Sequence, residues 1–122
     1  DPANPARFGS DPGMKLYYEI MAKYLPQGDK EDGNYLYGVS IAYTMVDVLK
    51  RAGRDLTRKK VMDVVSNFTE KDNPLVYPGV VVKTSPSVRF PITQLIAARW
   101  AGKTWSPMGI LTDTRHLKTA SR

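Results

Sequence analysis

The sequence has no cysteine and a single histidine, His116. The first absence removes disulfide frameworks, cysteine nucleophiles and thiolate metal sites together. The second makes a zinc site or a Ser-His-Asp arrangement hard to assemble. Neither a Walker sequence nor G-x-G-x-x-G occurs, so no phosphate-cradling loop is encoded. No apolar run approaches the ~18 residues that a membrane-crossing helix needs. Asp29, Glu31 and Asp32 cluster, but a calcium loop needs further oxygen ligands at regular spacing and an acidic residue to close it. That cluster reads as a solvated turn. The absences lean away from hydrolase and metalloenzyme. The expectation is a chain that binds or supports, with no catalytic residue, no metal and no cofactor.

What is present is ordinary for a globular protein. The chain has 122 residues, 42% hydrophobic and 25% charged, which suits one domain and argues against disorder. Its 18 basic and 12 acidic side chains give a net charge of +6, unevenly placed. Residues 1–46 balance at −2, 47–60 at +4, 61–98 at zero and 99–122 at +4. Such a pattern can steer an anionic partner. The simpler reading is a solvated helix end plus a basic tail, because the patch carries no nucleic-acid signature.

Residues 1–10 hold two prolines and a glycine without apolar periodicity, and are expected to form an extended lead-in. They contain no secretory h-region and no initiating Met, so the chain is expected to be mature sequence or to begin inside a longer one. Asp11-Pro12 then opens a helix, with Asp as N-cap and Pro at the first helical position. Met14, Tyr17, Tyr18, Met21 and Leu25 form its apolar face up to Pro26. After a polar loop, a second helix is expected from about Tyr35 to Ala52, with Gly53 as a left-handed cap. Thr57 caps a third, with Val61, Val64, Val65 and Phe68 along one face. Beyond Pro74 the period changes. Gly79 to Thr84, Ile92 to Trp100 and Trp105 to Leu111 read as strands, the last interrupted by Pro107. Residues 112–122 read as a polar basic tail containing His116.

The second of these helices is unusual. Ser40, Thr44, Asp47 and Arg51 make one narrow polar stripe, with Lys50 beside it, and nearly everything else from Val39 to Ala52 is apolar or small. A helix apolar around most of its circumference belongs inside a structure with neighbours on several sides. Two further helices and a short hairpin cover only part of it. The segment therefore lacks a partner, and self-association or membership of something larger is expected.

Tyr35, Tyr37 and Tyr43 lie at or near the start of that helix, where tyrosine either packs as core or lines a cleft and offers a hydroxyl, and spacing alone favours packing. Trp100 and Trp105 flank the last hairpin turn beside Arg99 and Lys103. Cross-strand packing explains them with fewer assumptions than nucleic-acid stacking. A helix ending at Gly53, a turn, a helix opening Thr57-Arg58-Lys59-Lys60 and a hairpin also outline a basic winged helix-turn-helix, with Arg58 and Lys59 in the major groove. Against that alternative, the first helix of the pair is too apolar to lie on DNA, and the basic residues crowd into one turn.

One resemblance draws these pieces together. The helix ending Val48-Leu49-Lys50-Arg51-Ala52-Gly53, the following Asp55-Leu56-Thr57-Arg58, Pro78-Gly79-Val80 and Thr84-Ser85-Pro86 come in this order. Pro91-Ile92, Ala98-Arg99-Trp100 and Gly102-Lys103-Thr104-Trp105 complete the set. In order and spacing they resemble the C-terminal part of type I periplasmic solute-binding proteins, in particular the branched-chain amino-acid-binding family of ABC importers. The likeness runs over residues 5–110. It implies an α/β parent fold of two Rossmann-like lobes that close on a ligand, of which residues 11–111 form a C-terminal segment of three helices and a small antiparallel β set. It further implies a periplasmic location and an ABC permease as partner. The ligand is a small organic solute, either an amino acid or an aromatic or other organic acid. The missing N-terminal part of the same protein would cover the apolar helix, and no nucleic acid is expected to bind. By the same resemblance Tyr35, Tyr37 and, less directly, Ser40 are candidate cleft residues. Many relatives carry a Tyr-Asp pair where Val39-Ser40 aligns here.

Overall fold

Short polar side chains that accept from free backbone amides decide where helices begin in this chain. The computed structural model describes residues 1–116. The lead-in is not extended throughout. Asn4 accepts from the Arg7 amide at 3.3 Å and Pro5 opens a single helical turn, α1 (Pro5–Phe8). The same chemistry recurs at α2 (Pro12–Tyr24), where the Asp11 carboxylate accepts from the Met14 amide at 3.1 Å. At Gly13 a Cβ would stand 1.7 Å from the Pro74 carbonyl oxygen. The missing side chain thus lets the 73–75 loop close over the start of α2.

Helix α3 (Gly33–Ala52) starts two residues before the expected Tyr35, because Asp32 caps it by accepting from the Asn34 amide at 2.8 Å. It ends at Gly53, whose φ of 71° bears out the expected positive angle, although its ψ of −138° is not left-handed helical. Helix α4 (Arg58–Ser66) is capped by Thr57, as expected from sequence.

The strands form two separate two-stranded antiparallel sheets rather than one set. The expected strand over 79–84 contracts to β2 (Val82–Lys83), paired with β1 (Thr69–Glu70). Its first half is bonded otherwise. Gly79 sits at φ 90°, the Val80 amide turns back to the Tyr77 carbonyl, and the Gln94 side chain takes the Val81 amide at 2.7 Å. Strands β3 (Gln94–Trp100) and β4 (Trp105–Asp113) make the hairpin, with Trp100 opposite Trp105 and an irregularity between Leu95 and Ala97. Pro107 does not interrupt β4. It lies opposite Ala98 in a ribbon whose outer edges are unpaired, where a missing amide costs no ladder bond. The two indole rings pack 5.3 Å apart, as expected of a cross-strand pair.

The basic tail begins later than expected, because β4 continues to Asp113 and a 3-10 turn spans Thr114–His116. The Arg115 guanidinium and amide both bond the Asp113 carboxylate and hold it well below the usual carboxylate range. The rest of that tail lies outside the described residues. Among the described residues, no helix is long and apolar enough to cross a membrane.

Two clusters make the core. Met14, Tyr17 and Met21 of α2 pack with Leu75, joined by Phe8, Tyr18, Leu36 and Val39. Val48 of α3, Phe68 and Val82 form the second, against Val61, Val64 and Val65 of α4. Tyr17 is fully enclosed, donates its hydroxyl to the Lys30 carbonyl at 3.1 Å, and has its pKa raised by burial.

Candidate functional site

Helix α3 contacts the rest of the chain along the side where sequence places its polar stripe. Ser40, Thr44 and Asp47 are half-buried, and Val48 and Ala52 are buried on the same side. Tyr37, Ile41, Met45 and Leu49, each four residues apart, are exposed, as is Val46 beside them. The helix therefore buries a mixed side, Val48 and Ala52 beside its polar stripe, and leaves a wholly apolar stripe exposed. Its apolar side looks outward.

The reason lies in a polar cluster that sequence spacing did not reveal. The Thr44 hydroxyl donates to Glu70 Oε2 at 2.7 Å, and Asn73 Nδ2 donates to the same oxygen at 3.0 Å and to Thr44 Oγ1 at 3.1 Å. Asn73 Oδ1 in turn accepts from the Leu75 amide at 2.9 Å. Glu70 and Asn73 are both buried. A buried carboxylate needs such donors, so Thr44 is drawn inward and the helix turns with it. The only hint in the sequence is the polar stripe. Its partners lie 26 and 29 residues further along the chain, beyond the reach of periodicity.

Beside this cluster lies an open apolar cleft of about 810 Å³ between α3 and the segment from Leu75 through β2 to the start of β3. Tyr37, Ser40, Ile41 and Met45 line one wall, and Val80, Val82, Ile92 and Leu95 face them. Arg89 is the one charged residue on its lining, its guanidinium donating to Ser66 Oγ at 3.1 Å. Of the residues singled out from sequence, Tyr37 and Ser40 reach this cleft and Tyr35 does not. Tyr37 is 64% exposed and Tyr35 38%. Neither packs as core.

Two basic residues on α3 and α4 are held by carboxylates of their own helix. Lys59 pairs with Asp63 and Arg51 with Asp47, both at 2.7 Å, and the Arg51 guanidinium lies 4.5 Å from the centre of the Phe68 ring. Such exposed i,i+4 pairs contribute little stability. No group of three or more carboxylate or imidazole side chains placed to hold a metal ion occurs among the described residues.

A cleft of this size with mostly apolar walls and a few hydroxyl and amide groups suits either a small organic ligand or a further piece of folded chain. Compared with family models, with curated proteins and with solved structures, the chain matches none.

Proposed function

We propose that this chain is the C-terminal part of an extracytoplasmic, periplasmic solute-binding protein that delivers a small organic solute to an ABC permease. The parent fold in this reading is α/β with two lobes, and the solute is an amino acid or an aromatic or other organic acid. The protein binds and does not catalyse. The observation that carries the proposal is the exposed apolar stripe of α3, Tyr37-Ile41-Met45-Leu49, whose first three members line a cleft that the chain's own residues leave unfilled. Burying such a stripe is worth roughly 1.5–3 kcal/mol for each large side chain. A fold that leaves all four exposed is one that further chain completes.

In this arrangement the first turns of α3, with Tyr37 and Ser40, stand nearest the solute, and the later turns receive the rest of the parent fold. Affinity arises when two lobes contact the solute together, as a shift from open to closed forms. The 122 residues alone supply one side of that contact.

Titration calorimetry tests this directly. The chain alone is expected to show no micromolar binding of amino acids or aromatic acids. The same chain extended by the upstream sequence of its own gene is expected to bind one of them, with Tyr37→Ala weakening binding by up to about tenfold. Micromolar affinity in the 122 residues alone overturns the proposal.

A further inference from the structure

The far end of the β3–β4 hairpin takes no part in the cleft, whose lining stops at Ile96 on one strand and Leu111 on the other. Filling the cleft does not require contact with this tip, so its role is argued independently of the solute reading. Between Ala97 and Ile110 the chain carries Arg99 and Lys103 and no acidic residue, and no Asp or Glu occurs anywhere from Asn73 to Thr112. Trp100 and Trp105 lie opposite each other in register, on one face of the ribbon, and are 53% and 52% exposed. Gly102, at φ 85°, makes the turn that brings Lys103 to the end of the hairpin. Met108 and Ile110, further back on β4, are also exposed.

We propose that this hairpin tip is a docking surface for an anionic lipid bilayer. Three properties meet there. Paired indoles with one side packed and the other open settle at the level of lipid headgroups, where their amphipathic rings are favoured. Cations with no acid nearby are attracted to the negative surface. The two cations lie in or beside the turn, so the rings enter the interface while the charges stay among the headgroups. A single-stranded nucleic acid would use the indoles and the cations. It would stack on the indole face and leave Met108, on the opposite face by strand alternation, in water, whereas a bilayer entered tip first surrounds both faces. The tip lies on the membrane and does not cross it.

The chain's only two tryptophans are these two, so tryptophan fluorescence, excited where its tyrosines do not absorb, reports the tip. The intact 122-residue chain is mixed with vesicles of phosphatidylcholine alone, or of phosphatidylcholine with about one third phosphatidylglycerol. Brominated acyl chains serve as quenchers. The expected result is a blue shift and quenching with the anionic vesicles only, weakening as salt is raised. Arg99→Gln and Lys103→Gln are each expected to lower partitioning about fivefold. Neither side chain makes a hydrogen bond or ion pair among the described residues, so both variants keep the fold, checked by an unchanged thermal transition. Absence of vesicle binding overturns the proposal. So does binding without tryptophan quenching, which would place the contact on other basic residues. Tighter binding to a single-stranded oligonucleotide, with the tryptophans quenched, would make the tip a nucleic-acid surface instead.

Discussion

Helices α2 and α3 are both amphipathic, yet the chain treats them oppositely. Helix α2 has 13 residues and buries Gly13, Met14, Tyr17 and Met21, while α3 has 20 and buries only Val48 and Ala52. The difference is where each face finds its partner. Leu75, Leu36 and Val39 come back to α2 and close over its apolar side. For α3, what comes back beside Phe68 and Val82 on Val48 is Glu70, which accepts from the Thr44 hydroxyl, and Asn73, which donates to it. An unbonded buried carboxylate is costlier than an exposed leucine. The polar side of α3 is therefore satisfied first, and its apolar side is left over. A short chain can meet its hydrogen-bonding requirements and still leave a hydrophobic one unmet.

The largest expected effect tests whether the two helices differ in energy as they do in exposure. Tyr17→Ala is expected to destabilise the chain by roughly 3–5 kcal/mol in urea unfolding. Tyr37→Ala, the same deletion on the exposed side of α3, is expected to stay within about 0.5 kcal/mol. Equal losses would break the comparison. The pH dependence sharpens it. Burial raises the Tyr17 pKa, so the neutral phenol is the folded form. Its contribution is complete below the ordinary phenol pKa of about 10 and is lost as pH climbs through the raised value. Tyr17→Phe is expected to flatten that alkaline loss.

Next in size is the polar cluster that turns α3. Glu70→Ala leaves Thr44 and Asn73 without their shared acceptor and is expected to cost about 1–3 kcal/mol, read from the same urea transitions. If the cluster sets the orientation of α3, that variant also binds less apolar dye than the parent, because the helix is free to turn its exposed apolar stripe inward. Glu70→Gln retains an acceptor and is expected to cost less. A loss under about 0.5 kcal/mol for Glu70→Ala would mean that something other than hydrogen bonding holds α3 polar side inward.

What could be read from sequence was mostly local. The caps at Asp11 and Thr57 involve side chain and amide within three residues, and both helices start where those residues place them. Asn4-Pro5 carries the same signal, and only its brevity made residues 1–10 look extended. The end of α3 at Gly53 was legible because an exposed helix end needs a residue tolerant of positive φ. The two-residue strand β1 was not legible, since two residues show no alternation, and without β1 the extent of β2 had no reference. The shortage of cover on α3 was evident from its composition. Which side would be left bare was not, because that depends on Glu70 and Asn73. For the same reason Tyr37 and Ser40 reach the cleft while Tyr35, two residues earlier and on another side of the helix, does not.

The smallest effect on stability carries the clearest information about α3. Ile41→Asp puts a charge on a side chain that is already half in water, so folding should change by no more than about 0.5 kcal/mol. Association should change far more. An exposed apolar stripe beside an open cleft offers a surface that two copies can share, and burying it between them gains what folding left unused. Light scattering at high concentration is expected to give a mass above the 13.7 kDa of one chain, falling toward that value for Ile41→Asp while the urea midpoint stays put. A sharp monomer in the parent chain would mean that the stripe is tolerated in water as it stands, and the proposal that further chain completes the fold would lose its principal support. A monomer only in the variant would show that the bare side of α3 seeks a partner and that Ile41 lies within the contact.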